Sequence, residues 1–221
     1  GVVSNSFVGD AGRAAAGAWN ATGNAIDNAY NSTVDWFKGV GGAMKDSPRS
    51  AGDGWNNNKD LIAYASKAIG VDVGVMAQIA AVESGFKPNA KAGTSSATGL
   101  YQFISSTWKS MLKKYGAQYG IPENTPPTDA RANAIIGALY IKGNMESLKK
   151  VKPNVSATDI YMAHFLGTGG ATKFLKAMAS NPNDIAANHV GASQVKANQS
   201  IFYPNGRAAT LQEVYNSFTA K

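Results

Sequence analysis

One carboxylate stands in an unusual sequence context, and it is the residue of this chain best suited to acid–base chemistry. Glu83 lies along an apolar stripe in which Val75, Ile79 and Val82 recur at helical spacing, and Gly85 offers a helix C-terminus. Apolar surroundings and the negative end of the helix dipole both disfavour the charged carboxylate, so both raise its pKa. A carboxylic acid that keeps its proton near neutral pH can act as a general acid.

The residues after Glu83 favour this catalytic interpretation over that of a solvent-exposed glutamate at a helix end. Ser84 follows directly, then a loop rich in Gly, Ser and Thr, and then the run Gly-Leu-Tyr-Gln-Phe at residues 99–103. In this order and spacing, the chain resembles the soluble, lysozyme-like lytic transglycosylases, which show Glu-Ser at the end of a buried helix and then Gly-Leu-Met-Gln. Residues 95–103 are similar to the bacteriophage branch of that family, found in endolysins and virion-associated muralytic proteins.

The resemblance implies a mostly α-helical, lysozyme-like domain of the goose type, with at most a small β element. It implies cleavage of peptidoglycan between N-acetylmuramic acid and N-acetylglucosamine, with Glu83 as the catalytic acid and then the base. In this family the N-acetyl group of the substrate is thought to assist, and the muramic 6-hydroxyl closes on its own ring to leave a 1,6-anhydro end. No cofactor or metal is expected, because the chain has no cysteine and only two histidines.

A search for a second catalytic carboxylate finds no candidate that a motif supports. Most glycosidases use two, about 5–5.5 Å apart for retention and about 6.5–9.5 Å apart for inversion. Asp72 begins the same helix as Glu83 and is expected about 16 Å away at ~1.5 Å per residue. The remaining candidates are expected to cap helices or to be solvated: Glu123, Asp129, Glu146 and Asp159. A single acid fits the transglycosylases, and a hydrolytic muramidase of the same fold is the alternative.

The resemblance also assigns substrate-binding candidates to the first two motifs. Ser84 either hydrogen-bonds Glu83 or the substrate, or is a helix C-terminal hydroxyl. Gln102 matches the motif glutamine, whose amide binds an N-acetyl group or orients the acid; the alternative is a loop amide. Tyr101 stands where the family has methionine, and its ring either lines the sugar cleft or packs in the core.

A third family motif, Ala-Tyr-Asn-x-Gly, corresponds to residues 163–167, where His164 and Phe165 replace the tyrosine and the asparagine. His164 either replaces the polar contact or is structural, and Tyr161 offers a phenol from the preceding turn. With Phe165 they complete the candidate substrate-binding set in this part of the chain. Tyr203 matches the tyrosine near the end of the family domain that contacts the catalytic acid.

Composition narrows the class of partner. The chain has 221 residues, of which 44% are hydrophobic and 16% charged, as in a globular protein. Its net charge of +7 favours a polyanion, and nucleic acid, anionic lipid and bacterial cell wall all qualify. The basic residues are scattered without a nucleic-acid motif, and no apolar run is long enough to span a membrane. The charge supports a wall substrate without selecting it, and peptidoglycan as the expected partner follows from the family resemblance. A non-catalytic wall-binding or structural virion module is the alternative of another class.

Two regions are expected, residues 1–58 and residues 59–221. The first is rich in Gly, Ala, Asn and Ser, with one amphipathic helix between about Ala11 and Lys38 and a linker over residues 39–58. It lies outside the resemblance and is expected to contact protein, with other virion proteins as the candidate partners. The chain begins without Met, as a processed or excised piece would. The expected location is a phage virion or the periplasm and cell wall of the host.

Start and stop residues divide the second region into helices. A first helix is expected to end at Gly70, and the next to be capped by Ser105 or Ser106 and to end at Gly116. Asp129 is expected to cap a long central helix.

Two capping boxes predict further helices near the C-terminus: Ser156 with Asp159, and Thr210 with Glu213. Residues 167–170, Gly-Thr-Gly-Gly, are expected to break the helix that the first box begins.

Overall fold

A computed structural model describes residues 44–219, and this part of the chain is mainly α-helical. Its eight α-helices are α1 (Trp55–Ile69), α2 (Val73–Ser84), α3 (Ser105–Tyr115), α4 (Ala130–Leu148), α5 (Ala157–Ser180), α6 (Ala192–Ala197), α7 (Gln199–Phe202) and α8 (Leu211–Phe218). Short 3-10 turns occur at Met44–Asp46, Ala117–Tyr119, Ala186–His189 and Pro204–Gly206. Pairing between extended residues in the described part is limited to isolated bridges. The structure therefore confirms a mostly α fold with at most a small β element.

The described residues fall into two compact units, 44–142 and 143–219, and the division lies within α4, after Lys142. This division differs from the predicted one at Lys59. The amphipathic helix predicted between Ala11 and Lys38 lies outside the described residues.

In the unit of residues 44–142, helices α1 and α2 pack against each other. α2 is apolar on nearly all sides, and most of its residues are buried, as expected of a core helix. Gly70 and Gly85 both adopt the left-handed conformation that ends a helix, φ 84° and φ 59°. Both predicted stops are therefore confirmed.

The next two helices of this unit match the prediction in part. Asp129 caps α4, because its carboxylate accepts a 3.0 Å hydrogen bond from the Ala132 N–H. No side chain caps α3, so the predicted serine cap is wrong: Ile104 is the N-cap residue, and Ser105 is already the first helical residue. Gly116 follows α3 as predicted but is right-handed, and the chain turns only at left-handed Gly120.

Part of the predicted linker is helical instead. α1 begins at Trp55, and the Trp55 ring lies 5.3 Å from the ring of Phe86, centroid to centroid. Its first turn therefore packs on the residues that follow α2. The boundary at Lys59 itself stays a prediction, but residues 55–58 belong structurally to α1.

The segment before α1 is also held within this unit. The Arg131 side chain is almost buried; its Nε donates a 2.8 Å hydrogen bond to the Ser47 hydroxyl, and its Nη2 donates to the Met44 carbonyl. Ser47 is itself buried. Residues 44–47 are therefore tied to α4 rather than free in solution, unlike the linker that the composition indicates.

In the unit of residues 143–219, α5 packs on α8. The predicted capping box is confirmed: Ser156 Oγ accepts from the Asp159 N–H, and the Asp159 carboxylate accepts from the Ser156 N–H. α5 is kinked at Gly167, whose φ of 75° and ψ of 163° are non-helical. The predicted break is therefore present as a kink, after which the helix resumes and runs to Ser180.

The second predicted capping box is present only in half. Thr210 Oγ1 accepts a 3.1 Å hydrogen bond from the Glu213 N–H, as a cap should. The Glu213 carboxylate, however, pairs with the Arg207 guanidinium at 2.6 Å and 3.1 Å. An arginine within reach offers the carboxylate a charged donor fork, which is a stronger partner than a backbone amide.

Candidate active site

Glu83 lies in the last turn of α2 and is 1% exposed. Burial raises the pKa of its carboxyl well above the usual value, because the charged form loses its hydration. Both conditions expected from the sequence, an apolar setting and a helix C-terminus, are present. The side chain is therefore suited to holding a proton at neutral pH and to giving it to a bound substrate.

The turn directly after Glu83 has an unusual backbone. Gly85 is left-handed, and Phe86, a residue with a Cβ, is also left-handed with φ 59°. The Gly85 N–H donates to the Ala81 carbonyl at 3.0 Å and so closes the last turn of α2. The chain thus turns sharply at Gly85 and Phe86, two and three residues after Glu83.

Ser84 uses its hydroxyl inside α2. Its Oγ donates a 3.0 Å hydrogen bond to the Ala80 carbonyl, and the side chain is 9% exposed. This placement matches the helix-hydroxyl alternative, and a contact of Ser84 with substrate stays a prediction.

Tyr101 lies in the core. Its side chain is fully buried, and its hydroxyl donates a 2.8 Å hydrogen bond to the backbone carbonyl of Met76 on α2. A Cβ added at Gly137 would lie 2.6 Å from the ring, so α4 approaches Tyr101 closely at a glycine. This placement matches the core-packing alternative, and a contact of Tyr101 with the sugar stays a prediction.

Gln102 closes the loop that precedes it. The residue is left-handed with φ 51° and almost fully buried, and its Nε2 donates 2.9 Å hydrogen bonds to the carbonyls of Ala90 and Gly99. Both protons of the side-chain amide are therefore donated to carbonyl groups of the loop. Binding of a sugar N-acetyl group by Gln102 stays a prediction.

Asn133 supports the same loop, although it belongs to none of the three motifs. Its Oδ1 accepts from the Tyr101 N–H at 2.9 Å, and its Nδ2 donates to the Pro127 carbonyl at 2.8 Å. A Cβ at Gly99 would lie 2.2 Å from that Nδ2, so the first motif glycine is required for the approach. A polar residue amid the apolar positions of α4 is the signal that indicates such a role.

The candidates of the third motif belong to the unit of residues 143–219. Tyr161, His164 and Phe165 are 3%, 0% and 0% exposed on α5, before the kink at Gly167. The rings of Tyr161 and Phe165 each lie 5.3 Å from the ring of Phe218 on α8. They form an aromatic cluster in the core of this unit, and their substrate contacts stay predictions.

Tyr203 differs from these residues because it is 36% exposed, directly after α7. An exposed phenol is available to a partner, and its predicted contact with the catalytic acid stays a prediction.

Two carboxylates are buried in the described part of the chain, Glu83 and Asp159. Burial by itself raises the pKa of Asp159, but hydrogen bonds from Lys152, from the Ser156 N–H and from the Tyr215 hydroxyl lower that pKa below its usual value. Asp159 is thus charged and structurally engaged. The remaining carboxylates of this part are half-buried or exposed: Asp46, Asp53, Asp60, Asp72, Glu123, Asp129, Glu146, Asp184 and Glu213.

A mostly helical fold with a buried glutamate at a helix end is consistent with the lysozyme-like fold class. The sequence model of the family described as "Transglycosylase SLT domain" matches residues 60–199, which is more than half of the chain. The chain therefore belongs to the transglycosylase SLT domain family. The match includes Glu83 and the three motifs, whereas Tyr203 and residues 1–59 lie outside it.

Membership of this family supports peptidoglycan lytic transglycosylase activity and implies peptidoglycan as the substrate. No helix among residues 44–219 is long and apolar enough to cross a membrane. In the same residues, no group of three or more His, Cys, Asp and Glu side chains is arranged to hold a metal ion.

Proposed function

We propose that this protein cleaves the β-1,4 bond between N-acetylmuramic acid and N-acetylglucosamine and leaves a 1,6-anhydromuramic end, with Glu83 serving first as the acid and then as the base. The observation that carries the proposal is the burial of Glu83 at the end of α2, which raises the pKa of its carboxyl. Asp159, the other buried carboxylate of the described residues, is held charged by three hydrogen-bond partners and has no proton to give.

The reaction transfers one proton from Glu83 to the substrate and one proton from the substrate back to Glu83. Glu83 donates its proton to the glycosidic oxygen as the bond to muramic C1 breaks, and the N-acetyl oxygen of the substrate shares the positive charge that develops on C1. The muramic 6-hydroxyl then forms a bond to C1, and its proton returns to the Glu83 carboxylate. The enzyme ends in its starting state, and no water is consumed.

We also propose that the protein is a bacteriophage muralytic protein that acts on the host wall as part of a virion or after release from one. The Ser-Ser-Ala-Thr-Gly-Leu-Tyr-Gln-Phe run at residues 95–103 supports this origin by its similarity to phage enzymes. The net charge of +7 suits an anionic wall. Residues 1–58 would then contact other virion proteins.

Mass spectrometry of muropeptides tests the chemistry. Purified peptidoglycan is digested with the wild-type protein and, in parallel, with the Glu83→Gln variant as the matched control. We expect anhydro-muropeptides from the wild type and none above background from the variant. Reducing-end muramic acid as the main product would assign a hydrolytic muramidase instead. Wall binding without any cleavage by the wild type would assign a non-catalytic module.

The phage origin has a separate test. Peptides of this chain in purified, nuclease-treated virions would support it, whereas their detection only in uninfected bacteria would contradict it.

A further inference from the structure

The reversal of the chain after Glu83 depends on a conformation that Phe86 does not favour by itself. With φ 59°, Phe86 places its Cβ in the left-handed region, and it directly follows the left-handed Gly85. Such a conformation persists where surrounding contacts hold it, and it occurs often beside functional groups. The contacts that hold this turn therefore bear on the position of Glu83.

Asn58, on the first part of α1, supplies the side chain that holds it. Its Nδ2 lies 3.1 Å from the Phe86 carbonyl and 2.8 Å from each of the Gly52 and Gly54 carbonyls. Three carbonyl oxygens around one atom require the nitrogen of the amide there, since an amide oxygen would be repelled by all three. Asn58 is 0% exposed, and its hydrogen bond to the Phe86 carbonyl is buried, whereas those to Gly52 and Gly54 are partly buried. Because the amide nitrogen carries two protons, the three carbonyl oxygens share them.

Two neighbours of Asn58 hold the same residue. The Gly54 N–H donates to the Phe86 carbonyl at 3.0 Å, and the Trp55 ring lies 5.3 Å from the Phe86 ring. Phe86 is thus held through its carbonyl and its ring by the start of α1. The turn clamp consists of Gly54, Trp55, Asn58 and Phe86.

The turn clamp acts on the last turn of α2. Helix ends fray unless their terminal groups are bonded. Here the Gly85 N–H bonds to the Ala81 carbonyl and the Lys87 N–H bonds to the Ser84 carbonyl, at 3.0 Å and 3.2 Å. The second of these bonds depends on the torsions of Phe86, because they place the Lys87 N–H over the Ser84 carbonyl. If Phe86 relaxed to a right-handed or extended conformation, this bond would break, and the end of α2 beside Glu83 would open toward water.

We propose that Asn58 is a positioning residue for Glu83: its side-chain amide holds the left-handed turn at Gly85 and Phe86 closed and so fixes the end of α2. The inference rests on the proposed role of Glu83 as the acid. Asn58 does not touch the reacting atoms in this proposal; it acts through the backbone of the turn.

The test compares Asn58→Ala with Asn198→Ala as the matched control. Asn198 is also buried, and its Nδ2 donates to the Gln194 carbonyl at 2.8 Å in the unit of residues 143–219. Both variants lose a buried amide and are expected to lower the melting temperature. Only Asn58→Ala is expected to lower kcat on soluble glycan strands, by about tenfold or more, with KM changed less than twofold.

The pH profile of kcat gives a second readout that lost stability alone does not move. In Asn58→Ala, water reaches the Glu83 carboxyl, its pKa falls, and the alkaline limb of the profile moves to lower pH. In Asn198→Ala the limb stays in place. A folded Asn58→Ala protein with the kcat and alkaline limb of the wild type would overturn the proposal.

Two further measurements keep the outcomes separate. The amide proton of Lys87 in the wild type is expected to exchange as slowly as those within α2, and exchange at the rate of an open loop would overturn the proposal even if no Asn58 variant folds. Glu83→Gln is assayed alongside. If it retains the wild-type rate, the proposed function fails; if it is inactive while Asn58→Ala is unchanged, only the role of Asn58 fails.

Discussion

The hydroxyl of Tyr101 donates a 2.8 Å hydrogen bond to the backbone carbonyl of Met76, seven residues before Glu83 on the same helix. The Gly-Leu-Tyr-Gln motif is thereby attached to the helix that carries the acid. Gln102 and Asn133 hold the motif loop from its other sides. The hydrogen bonds of this motif therefore fix the shape of the loop beside α2.

Tyr101→Phe removes this hydrogen bond and leaves the ring in place. A net loss of about 1 kcal/mol in unfolding free energy is expected, as for a typical internal hydrogen bond. Because the hydroxyl is buried and bonded to protein, KM for glycan strands is expected to stay within twofold. Denaturant unfolding and steady-state kinetics measure the two effects. A large rise in KM with unchanged stability would indicate that the Tyr101 hydroxyl contacts the substrate instead.

Gly137→Ala tests the packing of α4 on Tyr101. A Cβ there would lie 2.6 Å and 2.8 Å from atoms of the fully buried Tyr101 ring, and overpacking of this kind costs about 1–3 kcal/mol. Gly143→Ala in the same helix is the control, because a Cβ there meets nothing within 4 Å. The control is expected to gain up to about 1 kcal/mol from helix propensity. Equal melting temperatures for the two variants would contradict this packing.

Glu83→Gln keeps size and shape but removes the ionisable proton. General acid–base catalysis contributes about 10²–10⁴-fold, and one group serves both half-reactions here, so a loss at or beyond the upper end is expected. Wild-type activity needs the protonated acid, so it is expected to fall as pH rises through the raised pKa of Glu83. The pH–rate profile and the turnover of the folded variant measure these effects.

The same substitution is expected to change how stability depends on pH. The folded wild type binds a proton more tightly than the unfolded chain, in which a glutamate titrates at about 4.3. Its unfolding free energy therefore falls as pH rises from about 4.3 through the raised pKa. The variant lacks this fall, so its stability relative to the wild type is expected to grow over that range. A constant difference between pH 4 and pH 8, measured in denaturant, would contradict the raised pKa.

Asp159→Asn tests the charged network in the other unit. Lys152 and the Tyr215 hydroxyl each approach the Asp159 carboxylate to 2.8 Å. Loss of charge-assisted hydrogen bonds is expected to cost about 1–3 kcal/mol. The pKa of Asp159 is lowered by folding, so its contribution is present above the unfolded pKa of about 3.9 and is lost as pH falls through the folded pKa.

The control for Asp159→Asn is Glu213→Gln, which breaks the exposed pair with Arg207. Little change in stability is expected, because solvent screens this pair. Melting temperatures at pH 7 and pH 3 separate the two cases: the Asp159→Asn deficit is expected to shrink at the lower pH. Equal losses of stability in both variants at pH 7 would contradict a larger contribution of the buried Asp159 network.

Truncation tests how far the domain extends before Lys59. A chain that begins at Met44 keeps Trp55, Asn58 and the hydrogen bonds of Arg131, whereas a chain that begins at Lys59 loses all of them. The shorter chain is expected to melt at a lower temperature and to lose activity on peptidoglycan. Equal melting and activity of the two chains would place the boundary at Lys59, where composition alone puts it.

The local features of this protein follow from its sequence. The apolar stripe and Gly85 predict a buried helix that ends beside Glu83, and Asp129 and Ser156 mark helix starts, because caps and periodicity depend on residues only a few positions apart. The motifs and their order also indicate the family to which the chain belongs.

Tertiary structure decided which polar and aromatic side chains are used for packing. Tyr101 could line a cleft or fill a core, and only its contacts with Met76 and Gly137 show that it is buried. The composition around Asn58 predicts an asparagine-rich linker, yet its side-chain amide donates to the carbonyl of Phe86, 28 positions away. Such contacts depend on how distant segments approach each other in space, and neither residue type nor local spacing encodes that distance.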